Sequence, residues 1–150
     1  MGSAYRDSNE SSGFLLWQVT NLWQKEIRRA LEPLELTHPQ FVLLFSCKWL
    51  NEKQPDGVTQ IQLAQHAKVD VNVTSQVLRS LEKRGLIART PHPSDTRANA
   101  ITVTKAGDEL AVSAVKIVEA VDRSFFASLG DDRSQWNAMM LQLMDRTIEE

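Results

Sequence analysis

The 150-residue sequence predicts a mainly α-helical fold that carries one small β-ribbon, or wing. Three observations predict it: apolar residues recur at helical spacing over most of the chain, two short helices meet at a tight turn, and two strand-like segments follow directly. The composition, with 42% hydrophobic and 24% charged residues, is ordinary for a globular domain. We therefore expect a chain that buries a core.

The N-terminal part of the sequence predicts a tail and two helices. Residues 1–13 are polar and small, which is typical of a flexible tail. Apolar residues recur at helical spacing from Phe14 to Leu31 and predict an amphipathic helix. Thr37 and Gln40 form a capping box that begins a second helix, whose continuation Phe41–Leu50 is apolar on nearly every side. We expect this second helix to be deeply buried.

The middle of the sequence predicts a helix-turn-helix. A second capping box, at Thr59 and Gln62, begins a helix of about two turns. Asp70 is a good N-cap for the next helix, which ends at Gly85. Four apolar residues are expected to form the buried face of that helix: Val73, Val77, Leu78 and Leu81. Two helices joined by so short a connection are typical of this motif.

The segment after the second helix of this pair predicts the wing. Leu86–Thr90 and Ala98–Val103 have the composition of strands, and the intervening Pro91–Arg97 is rich in turn residues. A β-ribbon attached to a helix-turn-helix makes a winged helix. We assign residues 36–104 to this winged-helix region.

Apolar stripes on the terminal helices predict a homodimer. The helical patterns at residues 14–35 and 105–150 carry more apolar surface than so small a core can cover. A second copy of the chain would cover that surface. Two copies would also place two DNA-reading helices on one duplex, about 34 Å apart. We therefore expect the terminal helices to form a dimer interface.

The charge distribution predicts a polyanionic partner. The chain has 17 Lys+Arg against 19 Asp+Glu, which gives a net charge of −2. Between Thr59 and Lys105, however, seven cations stand against three carboxylates, a local charge of +4. A basic middle between acidic flanks is expected where only the middle contacts nucleic acid. A solvated helix face can carry the same pattern, so charge alone leaves both readings open.

The helix after Asp70 has residue types that suit a DNA major groove. Asn and Gln side chains pair with adenine and Arg with guanine, and Thr contacts a thymine methyl group or a phosphate. The expected contacts at or near the bases are Asn72, Thr74, Ser75, Gln76 and Arg79. The expected phosphate contacts are Lys83, Arg84 and Arg89, together with the helix start at Thr59 and Gln60. The alternative is that these are ordinary solvated helix residues.

The predicted wing tip carries one cation and one carboxylate that we single out. Arg97 can follow the DNA backbone into a narrow minor groove. Asp95 would repel a phosphate, so it is expected either to orient Arg97 or another arginine, or to begin a turn.

Four segments, in order and at matching spacing, resemble the MarR family of dimeric winged-helix transcription regulators. They are Leu36–Phe41, similar to the family's LTxxQF; Leu81–Arg89, similar to LExxGLIxR; Asp95–Arg97, similar to DxR; and Val103–Gly107, similar to LTxxG. The likeness extends from about Phe14 to Ile148. The wing lacks the adjacent second arginine that is often found in the family, so DNA affinity is expected to be lower or more sensitive to salt.

The resemblance implies a transcription regulator, with repression as the expected sign, and a small-molecule effector. The implied effector is aromatic or amphipathic, and it would bind where the dimer helices meet the winged helix. Chemically suitable lining residues are Trp17, Trp23, His38, Phe41, Phe45 and Trp49. Aromatic residues at helical spacing also occur as plain core, which is the alternative interpretation.

The sequence gives little support to other classes of protein. It contains no Gly-rich phosphate loop, no nucleophile elbow and no HExxH, so we expect no enzyme. His38, His66 and His92 are dispersed, so we expect no metal site or cofactor, and Cys47 lies among apolar residues that make a thiol unreactive. With no membrane span and no secretory signal, the cytoplasm is the expected location. The remaining alternative is a winged-helix module that binds a protein.

Overall fold

The computed structural model describes residues 2, 4–91 and 99–146. Within these residues, six α-helices and two strands follow one another: α1 (Ser12–Leu31), α2 (His38–Lys53), α3 (Gln60–Ala67), α4 (Val71–Lys83), β1 (Ile87–Pro91), β2 (Asn99–Val103), α5 (Lys105–Phe125) and α6 (Arg133–Arg146). Short 3-10 turns lie at Ser8–Glu10, Glu32–Leu34 and Ala127–Asp132. The predicted fold class, mainly α with a β-wing on a helix-turn-helix, is confirmed.

Side-chain caps fix where the helices begin. Thr37 Oγ1 accepts from the backbone N–H of Gln40 at 3.2 Å, and Gln40 Oε1 accepts from the N–H of Thr37 at 3.0 Å. The same reciprocal pair joins Thr59 and Gln62 at the start of α3. Both capping boxes predicted from the sequence are therefore confirmed.

Two apolar clusters form the core. The first belongs to the winged helix and joins α2, α3, α4 and the wing through Leu43, Leu44, Leu63, Leu78, Leu81 and Ile101. The second packs α1 and the start of α2 on α5, through Ile27, Leu31, Phe41, Ala114 and Val118. Because α2 contributes to both clusters, it joins the winged helix to the terminal helices.

A helix side chain and a single bridging residue hold the wing. β1 and β2 pair antiparallel with Ile87 opposite Val103, and Val58 bridges Ile101 from outside the ribbon. Asn51 at the end of α2 donates from Nδ2 to the carbonyl oxygen of Ile101 at 3.2 Å, and its Oδ1 accepts from the N–H of Val103 at 2.9 Å. The backbone polar groups of Ile101 and Val103 on this edge of β2 therefore have hydrogen-bond partners in Val58 and Asn51.

The start of α5 lies directly on the end of α4. Thr104 caps α5 by accepting from the N–H of Gly107 at 3.1 Å, and its hydroxyl donates to the carbonyl of Gly85 at 2.6 Å. The Thr104 N–H donates to the carbonyl of Leu86 at 3.1 Å. A Cβ at Gly107 would overlap the carbonyl oxygen of Leu86, so only glycine permits this approach. The Val103–Gly107 motif therefore has a packing reason.

The terminal helices present large apolar residues to solvent. The exposed residues include Phe14, Leu15, Leu16, Trp17 and Leu22 on α1 and Met139, Leu141 and Leu143 on α6. In residues 2, 4–91 and 99–146, no helix has both the length and the apolarity to cross a bilayer. α5 ends at Phe125, and a 3-10 turn that contains Gly130 at φ 54° follows it.

Candidate nucleic-acid interface and cavity

α4 presents one polar stripe to solvent. Asp70 caps the helix by accepting from the N–H of Asn72 at 2.8 Å. Asn72, Gln76, Arg79 and Lys83 are all exposed and recur at intervals of three and four residues, so they lie along one side of the helix. Ser75 is half-buried beside them. Among the described residues neither Arg79 nor Lys83 has an ion-pair partner. This stripe can donate hydrogen bonds to a major groove.

The predicted buried face of α4 is wrong at two positions. Thr74 is 0% exposed, whereas Val73 is 43% exposed. Thr74, Leu78 and Leu81 point into the core at a spacing of four and three residues, and this phase turns Val73 outwards. Thr74 was expected to contact DNA, but its burial removes it from the candidate surface.

Burial of Thr74 leads to a stability prediction. Its hydroxyl oxygen makes no hydrogen bond with any residue that the structure describes. An unsatisfied buried polar group costs about 1–3 kcal/mol, and Val has nearly the same shape and helix propensity as Thr. Thr74→Val should therefore stabilise the protein by about 1 kcal/mol, or roughly 2–4 °C in Tm. Calorimetry measures the Tm directly.

The control for this prediction is Thr74→Ser, which keeps the hydroxyl and loses a buried methyl group. That variant should lose about 0.8 kcal/mol of stability. A Thr74→Val protein with a lower Tm than the wild type, or with a many-fold weaker affinity for DNA, would favour the original prediction that Thr74 contacts DNA.

Two of the predicted phosphate contacts have partners within the chain. Arg89 Nε lies 3.4 Å from Glu82 Oε1, and the Arg89 side chain is only 17% exposed. Arg84 Nη1 donates to the carbonyl oxygen of Glu35 at 2.7 Å. The residue types of Arg84 and Arg89 do not predict these contacts, because Glu35 and Glu82 lie in other segments of the fold. Of the three cations predicted to contact phosphate, Lys83, Arg84 and Arg89, only Lys83 has no such partner among the described residues.

The remaining predicted DNA contacts lie at the start of α3 and at the wing tip. Thr59 and Gln60 are half-buried. The Thr59 N–H already donates to Gln62 Oε1 at 2.9 Å and the Gln62 N–H to Thr59 Oγ1 at 3.2 Å, so fewer groups remain for a phosphate than predicted. Asp95 and Arg97 lie outside the residues that the structure describes.

A cavity of about 1070 Å³ opens between α1, the start of α2 and the turn before α4. One wall comes from α1 and contains Trp23, Lys25, Arg28 and Arg29. The segment from Glu35 to Pro39 forms the next wall, and Ala67, Val69 and Val73 close the side towards the helix-turn-helix. The lining carries three cations against two carboxylates, Glu32 and Glu35, so its formal charge is +1 beside the Trp23 ring. An aromatic ring with a net positive charge nearby suits an aromatic anion.

Only two of the six residues predicted for an effector pocket line this cavity, namely Trp23 and His38. Phe41 and Phe45 stack on each other with ring centroids 5.9 Å apart, Phe41 within the core and Phe45 against it. Trp17 is 65% exposed on the first half of α1. Trp49 stacks on His66 at 5.3 Å on another face of the winged helix.

Sequence reasoning missed the basic wall of the cavity. Lys25, Arg28 and Arg29 lie on one helix face, at a spacing of three and four residues, beside Trp23. That spacing was visible in the sequence. This face of α1 becomes a cavity wall only because the fold places it beside the segment from Glu35 to Pro39.

The two aromatic residues of the cavity are held by a third helix. Trp23 Nε1 donates to Asp122 Oδ1 of α5 at 2.8 Å, and the Trp23 and His38 rings meet edge to face at 4.9 Å. Burial lowers the pKa of His38, and the nearby Asp122 carboxylate raises it by a smaller amount. His38 is therefore neutral at pH 7, and the positive charge at the cavity comes from α1.

Cys47 is buried in the winged-helix core. Desolvation raises its pKa to about 12, so the thiol is protonated at neutral pH. The expectation that its apolar surroundings raise the pKa is confirmed.

Comparison with known proteins fits this geometry. The family profile described as MarR family matches residues 36–98. The HTH-type transcriptional regulator YdcH of Bacillus subtilis (strain 168) is 42% identical over 126 residues, which cover 84% of this chain and 85% of YdcH. The fold, the exposed stripe of α4 and this relative define a winged-helix transcriptional regulator. The chain belongs to the MarR family, as the sequence motifs indicated.

Two proteins of known structure are similar over nearly the whole chain. CouR from Rhodococcus jostii RHA1, solved with p-coumaroyl-CoA, has a TM-score of 0.80 at 27% identity, over 93% of this chain and 95% of CouR. CouR solved on a 23-mer DNA duplex has a TM-score of 0.77 at 26% identity, over 91% and 94%. Rv2887 of Mycobacterium tuberculosis, solved with salicylic acid, has a TM-score of 0.64 at 34% identity, over 89% and 96%.

Proposed function

We propose that this regulator is a repressor that binds a pseudo-palindromic operator as a homodimer and is released by a small aromatic anion. The observation that carries the DNA part is the exposed stripe Asn72, Gln76, Arg79 and Lys83 on the second helix of a helix-turn-helix. These are the side-chain types that pair with adenine and guanine edges or with phosphate. CouR, which is similar over most of its length, is a transcriptional repressor solved on duplex DNA.

The homodimer is supported by the faces that α1 and α6 leave uncovered. Five large apolar residues of α1 and four of α6 are exposed on a single copy. Large apolar residues exposed in this number mark a protein interface. A dimer also supplies the second reading helix that a two-fold operator requires. Residues 14–35 and 105–150 are therefore the proposed dimerisation region and residues 36–104 the proposed DNA-binding region.

The effector site is proposed at the cavity beside Trp23. Its lining combines an indole ring and a neutral imidazole with three cations and two carboxylates, which leaves a net positive charge beside the aromatic rings. Relatives support an acidic aromatic ligand, because Rv2887 was solved with salicylic acid and CouR with p-coumaroyl-CoA. We take salicylate as the probe.

Salicylate should quench Trp23. Binding beside the indole is expected to reduce the fluorescence of the protein in a saturable way, and Trp23→Phe should abolish most of that change. Trp17→Phe is the matched control, because Trp17 is exposed on the same helix and lies outside the cavity. A quench that persists in Trp23→Phe and disappears in Trp17→Phe would place the ligand elsewhere.

Binding without catalysis is the proposed mode of action, since the curated relatives are named as regulators. DNA as the partner makes the cytoplasm the proposed location. The rival function is a winged-helix module that docks a protein. Anisotropy titration of duplex DNA at several salt concentrations separates the two, because phosphate contacts make affinity fall as salt rises. No binding to any duplex at low salt would favour the rival.

A further inference from the structure

The C-terminal half of α4 is tied to the segment that precedes α2. Arg84, the residue that ends α4, donates from Nη1 to the carbonyl oxygen of Glu35 at 2.7 Å. Glu35 has a left-handed backbone with φ 55°, an uncommon conformation for a residue with a side chain. The direction of its carbonyl group is therefore fixed by the local turn.

A second contact joins the same two elements. Gln40 Nε2 donates to Ser80 Oγ at 3.0 Å, and the Ser80 hydroxyl donates to the carbonyl oxygen of Val77 at 2.6 Å. The hydroxyl proton is thus used inside α4, and its oxygen is free to accept from Gln40. Gln40 Oε1 accepts from the N–H of Thr37 and lies 3.5 Å from Arg84 Nη1. One amide group therefore contacts the α2 cap, α4 and Arg84.

The segment held in this way is also a wall of the cavity. Glu35, Leu36 and Thr37 line it from one side, and Val73 on the first turn of α4 lines it from the other. A ligand bound between these walls would contact both the segment before α2 and the first turn of α4. No contact with DNA is needed for this coupling.

We propose that Gln40, Ser80 and Arg84 form a latch that positions α4 against the Glu32–Thr37 segment and transmits occupancy of the cavity to the DNA-reading helix. Arg84 is then a positioning residue and not a phosphate contact. The transmission step rests on the proposed effector site, whereas the positioning step does not. A ligand that moves the segment changes the orientation of α4 through these hydrogen bonds, and DNA affects ligand affinity by the same factor.

Hydrogen exchange of the free protein tests the positioning step. Ser80→Ala with Arg84→Ala removes both contacts and leaves the capping box of α2 intact. Amide exchange should rise about three- to ten-fold at Glu35 and Leu36 and in the last turn of α4 together, because two hydrogen bonds are lost. Lys83→Ala removes a neighbouring cation and should change neither segment. A rise confined to α4, or no rise, would overturn the latch.

The salt dependence of DNA binding separates positioning from phosphate contact. Lys83→Ala should reduce the slope of log affinity against log salt by about one for each subunit of the bound dimer, because each subunit loses one phosphate contact. Arg84→Ala should leave that slope unchanged. Equal reductions for both variants would show that Arg84 contacts phosphate and would overturn its assignment as a positioning residue.

Salicylate tests the transmission step. In the wild type it should weaken binding to a selected operator, and in the double variant this effect should fall towards one-fold while salicylate still quenches Trp23. An undiminished effect in the double variant would overturn transmission through the latch. If salicylate neither quenches Trp23 nor weakens operator binding in the wild type, the effector site fails and transmission of its occupancy fails with it, while the exchange result still decides the positioning step.

Discussion

Arg79→Ala is expected to cost about 10- to 100-fold in affinity for each half-site of the preferred operator, or about 1–3 kcal/mol, the value of one bidentate contact between arginine and a base. Arg79 is exposed in the middle of the α4 stripe and has no ion-pair partner among the described residues. Its guanidinium group is therefore available to guanine. The loss should be confined to duplexes that carry the preferred base pair, and competition titrations against each base at that position measure it.

Arg97→Ala provides the contrast. If Arg97 follows the DNA backbone, as its position in the sequence predicts, its loss should weaken binding to all duplexes alike and reduce the salt slope by about one unit for each subunit of the bound dimer. Equal losses on every duplex for both variants would contradict the assignment of Arg79 to base reading. The two variants are compared by DNA affinity and salt slope alone, so the result does not depend on the position of the wing tip.

Gly107→Ala is expected to destabilise the fold by about 3 kcal/mol, at the upper end of the cost of overpacking. The new methyl group would overlap the carbonyl oxygen of Leu86 and stand 2.9 Å from its carbonyl carbon. Backbone cannot rotate away as a side chain can, so α5 must lift from the end of the helix-turn-helix. Thermal unfolding should show a Tm lower by roughly 6–12 °C.

Gly13→Ala is the matched control for the stability prediction. Gly13 lies in α1, and a Cβ added there meets no atom within 4 Å. Because alanine favours helix more than glycine, this variant should gain up to about 1 kcal/mol. A Gly107→Ala protein as stable as the wild type would show that the contact between α5 and Leu86 is looser than the structure indicates.

Local signals in the sequence predicted most of the fold. The two capping boxes and the Asp70 cap depend on residues within three positions of one another, so they can be read directly from the chain. The end of α5 was harder to predict. Apolar residues continue at helical spacing past Phe125, and only the non-helical backbone at Gly130 reveals the kink.

The candidate sites were predicted less completely, because they depend on contacts between distant segments. Val73 was predicted to be buried because valine is apolar, but Thr74 is buried in its place. The packing of α4 on α2 and α3 sets the rotation of the helix, and the sequence of α4 alone does not show it. Arg84 could not be assigned from the sequence, since its partner Glu35 lies 49 residues away. The cavity likewise combines α1 with the turn before α4, and no single motif contains both.

Selection of duplexes from a random pool tests directly whether the protein is a dimer that reads DNA through α4. The protein would be titrated against the pool by fluorescence anisotropy at several salt concentrations, and the bound duplexes would be sequenced. We expect enrichment of a pseudo-palindrome whose half-sites lie about one helical turn apart, with affinity that falls as salt rises. Binding without enrichment of any sequence, or no binding at low salt, would contradict a dimeric regulator that reads DNA through α4.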